Sequence, residues 1–158
     1  MTQARVVLIT GGAKRIGKAL ALHFHAQGFK VLISFRHSAD AAYALANTLN
    51  NARPDSAKVL PLDLNNIASF TEFAEKAVSS FGRLDVLINN ASSFYPTPLN
   101  EATEAQWDDL IGSNAKAAFF LSQALLQALV KERGCIINLV DIYADKPLKN
   151  HPIYSMSK

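Results

Sequence analysis

Tyr154 and Lys158 stand four residues apart, the spacing that places two side chains on one face of a helix. A phenol in water titrates at about 10, and a fixed ammonium group beside it is a direct means of lowering that value. The pair is therefore a candidate proton donor that carries its own activating charge.

A second candidate is the stretch Thr-Gly-Gly-Ala-Lys-Arg-Ile-Gly-Lys at 10–18, which follows an apolar run and opens a helical pattern. Gly11 and Gly17 let the backbone approach a pyrophosphate. The N–H groups at the head of the helix, around Arg15, Ile16 and Gly17, turn partial positive charge towards it. Arg15 occupies a place where the dinucleotide pattern expects glycine; arginine is a poor steric substitute there and a good phosphate ligand. The loop after the next apolar run reads Ser-Phe-Arg-His-Ser at 34–38, with no carboxylate before Asp40. An acidic residue there would bind the ribose hydroxyls of NAD and repel a 2′-phosphate, whereas Arg36, His37 and Ser38, together with Arg15, attract one. The cofactor expected is NADPH.

To bring these loops together the chain needs a frame. Runs rich in Val, Ile and Leu at 5–9, 30–35, 58–62, 85–89 and 134–140 read as strands buried on both faces. Helical patterns lie between them. Within 66–81, Phe70, Phe73, Ala74, Ala77, Val78 and Phe81 recur on one face, and Gly82 follows as a stop. Thr103 and Gln106 form a capping-box pattern that starts a helix expected to run to about Arg133. Gly28 closes the first helix, and Ser38 is placed to cap the second. The alternation predicts an α/β, doubly wound (Rossmann-type) parallel sheet with helices on both faces, whose ligands bind at the carboxyl ends of the strands.

The 158 residues are 49% hydrophobic and 18% charged, the balance of a globular core. The first residues do not read as a leader peptide, and no apolar run approaches the ~18 residues a bilayer requires. A cytoplasmic protein without membrane contact is expected. The net charge of +3 is spread along the chain without a dense basic run, which argues against nucleic acid and suits an anionic small ligand. The four histidines lack metal-ligand spacing, so no metal is expected, and the single cysteine, Cys135, reads as a packed thiol within its apolar run.

Thr-Gly-Gly-Ala-Lys-Arg-Ile-Gly at 10–17, Asp63-Leu64, Asn-Asn-Ala-Ser at 89–92, Asn114 and Tyr154-x-x-x-Lys158 follow one another in the order and spacing of the short-chain dehydrogenase/reductase family. The whole chain resembles that family. Arg15, the run from Asn89 to Leu99, and Asp141 within Ile-Asn-Leu-Val-Asp-Ile-Tyr are similar to its pteridine reductase branch. The resemblance implies that Tyr154 gives or relays a proton and that Lys158 holds the nicotinamide ribose and lowers the tyrosine pKa. It implies that Asn114 keeps a relay water and the helix geometry beside it. Asp63 and Leu64 would then border the adenine, and Asn90 and Ala91 would lie along the cofactor. Ser92 would hydrogen-bond cofactor phosphate or substrate edge, and Phe94 would stack a flat pterin against the nicotinamide. In that family the helix bearing Tyr154 and Lys158 continues, and two strands, a substrate loop and a last segment of the site follow. The chain is accordingly expected to be one NADP-binding domain, 1–158, cut at its catalytic helix and inactive as a piece, with a homotetramer formed by the full-length protein.

Most members of the family carry serine at the position of Asp141, where a hydroxyl stabilises charge developing on a carbonyl oxygen. An ionised aspartate would repel that charge. Reduction of a C=N bond has the opposite need, because the nitrogen must gain a proton that a carboxylic acid working with Tyr154 can deliver. The reading is NADPH-dependent reduction of pterins, with dihydrofolate as a further substrate. Two alternatives stay open: a ketone reductase of the 3-oxoacyl type, and a non-catalytic nucleotide-binding module if the natural chain ends here. For Asp141 to act as an acid, its pKa is expected above the ordinary value of about 3.9. Arg36→Asp should reverse or abolish a preference for NADPH over NADH, measured as the ratio of the two kcat/KM values; equal use of both cofactors by the parent protein would contradict the assignment.

Overall fold

The computed structural model describes residues 3–158. Strands β1 (Val6–Ile9), β2 (Lys30–Phe35), β3 (Ala57–Pro61), β4 (Val86–Asn89) and β5 (Cys135–Asn138) are parallel and lie in the order β3-β2-β1-β4-β5. This is the order of a doubly wound sheet.

Side chains alternate across each strand, and both faces of the central strands are covered. Val7, Ile9, Val31, Ile33, Val86 and Ile88 point to one face. There they pack on helices α1 (Arg15–Ala26) and α2 (Ala39–Ala52). Val6, Leu8, Leu32 and Leu87 point to the other, against α3 (Phe70–Phe81) and α5 (Ala117–Lys131). Two short helices, α4 (Glu104–Ile111) and α6 (Pro152–Met156), meet in a small separate cluster of Leu110, Ile153 and Tyr154. Among the described residues, no helix is long and apolar enough to cross a membrane.

Several local expectations hold. The phenylalanine stripe of α3 is buried, and Gly82 ends the helix with a φ of 78°, in the left-handed region where glycine carries no Cβ penalty. Thr103 accepts from the Gln106 N–H at 3.3 Å, and the Gln106 side chain accepts from the Thr103 N–H at 2.9 Å, completing the capping box. Others do not. Ser38 precedes α2 but makes no side-chain capping bond. The helix expected over 103–133 is interrupted by a π turn at Gly112–Lys116 between α4 and α5. Strand β5, read as buried on both faces, is exposed along its length, and so is Cys135. Among the described residues it lies at the sheet edge and pairs with β4 alone, so within them its apolar residues lack the second layer that covers β1 and β2.

The junction of β1 and β4 is held by a buried ionic group. Asp85 accepts from the Val6 N–H at 2.8 Å and from the Arg83 guanidinium at 2.9 and 2.5 Å, and Arg83 also reaches Glu132 at 2.9 Å. Removing one partner of such a group strands the other charge and an N–H donor. Asp85→Ala is expected to lower unfolding free energy by about 3 kcal/mol, the lower end of the range for one-sided loss because Glu132 still balances Arg83. Urea denaturation measures this.

Candidate active site

The site begins where β1 and β4 end. The Thr10 hydroxyl accepts from the Asn90 and Ala91 N–H groups at 2.9 and 3.0 Å, and the Asn90 side-chain amide donates to the carbonyls of Thr10 and Gly11 at 2.8 and 3.3 Å. The two loops are thus one unit. Under it lies Gly17, where an added Cβ would stand 2.3 Å from the Gly11 carbonyl oxygen and 2.8 Å from the Asn90 amide nitrogen. Only glycine fits there. Arg15 has a φ of 49°, the left-handed backbone for which its position ordinarily carries glycine, at a cost of about 1–2 kcal/mol.

A cavity of about 250 Å³ runs from Gly11 past Arg36, His37 and Ser38 to Leu64, Ala91 and Ser92. It brings together half of the residues expected to hold the cofactor; Gly17, Asp63 and Asn90 do not line it. Lys14, which the sequence reading passed over, lines the cavity; Arg15 does not, and Ile16 is largely exposed beside it. Arg36 pairs loosely with Asp63 at 3.8 Å, and both side chains are about half exposed. The glycine cradle at 11 and 17, the head of α1 and the cationic rim of Lys14 and Arg36 fit a dinucleotide phosphate. A second cavity of about 490 Å³ shares Leu64, Ala91 and Ser113 with the first and extends to Asn114, Val140 and Lys158. The two make one crevice across the carboxyl ends of the strands.

Asn114 sits in the π turn. Its oxygen accepts from the Ser93 N–H at 2.8 Å, while its nitrogen donates to the Ser93 carbonyl at 3.0 Å and to the Ser157 hydroxyl at 2.8 Å. Ser157 in turn donates to the Tyr154 carbonyl at 2.7 Å. The amide therefore ties the loop after β4 to α6, and its two bonds to one peptide fix its orientation. A helix that bulges to accommodate such a contact is a frequent companion of functional sites.

Tyr154 is buried, 4% exposed, and its hydroxyl donates to Asp141 at 2.7 Å; the other Asp141 oxygen accepts from the Tyr143 N–H at 3.0 Å. The Lys158 ammonium lies 5.6 Å from the centre of the Tyr154 ring, and the Phe94 ring stands nearly perpendicular to it with centroids 4.7 Å apart. These contacts reverse one expectation. The Tyr154 hydroxyl, then the Tyr143 N–H, and to a lesser degree Lys158, hold Asp141 below the usual carboxylate range rather than above it. Burial and then Asp141 push Tyr154 well above the ordinary phenol value, and Lys158 does not offset them. Burial lowers Lys158. At neutral pH the pair is one carboxylate and one phenol sharing a single proton. The stability that Asp141 contributes is in place above its unfolded pKa and is lost as pH falls through the depressed folded value.

Phe94, two residues beyond Ser92, lines neither cavity; it is 54% exposed, with the His151 ring stacked on it. Tyr95, whose role the sequence left open, donates its hydroxyl to Asp109 at 2.9 Å and is pushed up to about 12, by burial first and by Asp109 second. Asp109 also receives the Asn65 amide at 2.7 Å, so it joins the loops after β3 and β4. Trp107 lies outside the crevice, partly exposed.

A parallel sheet wound on both faces, a glycine cradle at its switch point and the Tyr154–Lys158 pair, whose lysine lines the second cavity, define a class. The short chain dehydrogenase family model matches residues 5–158, and the chain belongs to that family, whose members use a nicotinamide cofactor. It is similar to Pteridine reductase 1 of Leishmania tarentolae, with 38% identity over a gapped alignment of 193 positions that covers 98% of this chain and 67% of that protein. It is also 31% identical to an uncharacterized oxidoreductase of Staphylococcus aureus strain USA300, over 98% of this chain and 65% of the relative. The chain spans about two thirds of the length of the curated relatives it matches.

Asp141→Asn keeps the shape of the carboxyl group and removes its charge. Tyr154 is then expected to ionise at lower pH, because the second cause of its elevation is gone. Ultraviolet titration of tyrosinate, compared between parent and variant, reads this directly; identical curves would show that Asp141 does not act on Tyr154.

Proposed function

We propose that this chain carries the cofactor-binding and proton-delivering part of an NADPH-dependent pterin reductase, organised as one nucleotide-binding domain. The observation that carries the reading is the 2.7 Å hydrogen bond from Tyr154 to Asp141, beside the half-exposed ring of Phe94. NADPH, held by the Gly11–Gly17 loop with Lys14, Arg36, His37 and Ser38 around its 2′-phosphate, would supply a hydride to a ring carbon. Phe94 offers an aromatic face against which a conjugated ring stacks. Asp141 and Tyr154 govern the proton that the ring nitrogen must gain.

The charge state of the pair favours nitrogen over carbonyl oxygen as the reacting atom. A carboxylate 2.7 Å from the phenol would oppose negative charge growing on an oxygen bound there. A basic nitrogen suffers no such repulsion and benefits from the nearby anion as it becomes cationic or accepts a hydrogen bond. Once the pair takes up a second proton, Asp141 replenishes the proton that Tyr154 releases. Pterin turnover is therefore favoured as pH falls below the usual carboxylate range, where the pair moves from one proton to two. The identity to Pteridine reductase 1 over nearly the whole chain supports the same assignment.

The test uses the natural full-length protein and follows NADPH oxidation with biopterin as substrate. kcat is expected to rise as pH falls below the usual carboxylate range, where Asp141 takes up its proton, and to lose that dependence in Asp141→Asn, with turnover reduced at least about tenfold. Phe94→Ala should raise the KM for biopterin at least about threefold while NADPH affinity is retained. Undiminished turnover and an unchanged pH profile in Asp141→Asn would remove the carboxyl group from the chemistry and return a ketone to contention as the substrate.

A further inference from the structure

Phe94 has a partner that the chemistry above leaves unused. The imidazole of His151 lies on its ring with centroids 4.9 Å apart and planes within 13° of parallel, while the planes of Phe94 and Tyr154 cross at 82°. Among the described residues, no other aromatic ring stacks on Phe94, and just over half of its surface stays open.

His151 is itself held. Its Nδ1 stands 2.8 Å from the Lys149 carbonyl, which can only accept, so Nδ1 carries the hydrogen and the ring plane is fixed. Its backbone N–H donates to Leu148 at 3.1 Å, and its carbonyl accepts the Ser155 N–H at 3.0 Å in the first turn of α6. The preceding residue, Asn150, adopts a left-handed φ of 61°, and its carbonyl receives the Thr97 N–H at 2.7 Å. The segment 148–151 is thus tied at one end to the loop carrying Phe94 and at the other to the helix carrying Tyr154. Its side chain spans the same gap as its backbone.

We propose that His151 is a positioning residue for the substrate: stacked on one face of Phe94, it holds that ring so that the opposite face is presented to a planar pterin. This rests on reading the site as a pterin site. A half-exposed phenylalanine at a loop would otherwise sample several rotamers, and a ligand would have to order it on binding. The stack orders it beforehand and fixes it relative to the Tyr154 hydroxyl. Geometry and not hydrogen bonding is the requirement, so a flat ring without nitrogen serves equally.

The experiment titrates biopterin, by the change in its own fluorescence, into the natural full-length protein saturated with NADP⁺. His151→Ala is expected to weaken biopterin about three- to tenfold, the range for losing one aromatic stack, with cofactor affinity retained. His151→Phe should restore most of the loss. In a Phe94→Ala background, His151→Ala should add nothing, because the residue acts through that ring. Tighter binding in His151→Ala would overturn the proposal by showing that the imidazole covers the ligand's own face. Equal losses in the Ala and Phe variants would overturn it in favour of a nitrogen-specific contact, and so would additive losses in the double variant. Binding that depends on Phe94 but not on His151 defeats this inference alone; no biopterin binding by the parent defeats the pterin reading and this inference with it.

Discussion

The hydroxyl of Thr10 and the side-chain amide of Asn90 hold together two segments that the topology drives apart. From β1 the chain leaves towards the face covered by α1 and α2; from β4 it leaves towards the face covered by α3 and α5. A crevice must open between the two exits. Left to itself, such a gap would be floored by unpaired backbone groups. Thr10 and Asn90 satisfy those groups while keeping the gap narrow, and the contact is close enough that Gly17 has no room for a side chain. Everything downstream sits on this seam: the head of α1, the cavity at Arg36, and the loop that carries Ser92 and Phe94.

The legible parts of the sequence were those decided locally. The phenylalanine stripe of α3, its Gly82 stop and the Thr103 box depend on residues within a turn of one another, and they formed as read. The strands β1, β2 and β4 were legible because burial on both faces leaves an unbroken apolar run. Strand β5 has the same composition, and among the described residues only β4 pairs with it, so its run reads alike while its faces stay uncovered there. Lys14 and Arg15 illustrate the limit for site residues. The two are neighbours of like charge, and the left-handed backbone at Arg15 decides which of them faces the cavity. Asp141 illustrates it for electrostatics. Burial and Lys158 were the foreseeable influences on its charge, yet the largest is the hydroxyl of Tyr154, a contact across 13 residues that only the folded turn creates.

Asp141, Tyr154 and Lys158 are better understood as one titrating unit than as three residues. The hydrogen bond that depresses the carboxyl group raises the phenol, and burial lowers the ammonium. Asn114 controls the unit from outside it, since the Asn114–Ser157–Tyr154 chain of hydrogen bonds sets where the helix bearing the phenol stands against the loop after β4.

The π turn at Gly112–Lys116 has a consequence for which changes the chain can tolerate. One additional residue in a helix rotates all that follows by about 100°. Here α4 turns Leu110 towards Ile153 and Tyr154, whereas α5 turns Leu121, Leu125 and Leu129 towards the sheet, and the bulge sets the phase between these two directions. Deleting a residue from this segment would leave both helices intact as helices and put their apolar stripes out of step, so that either the sheet or Tyr154 would lose its packing. Substitutions along α4 and α5 can be absorbed one at a time; a change of length cannot.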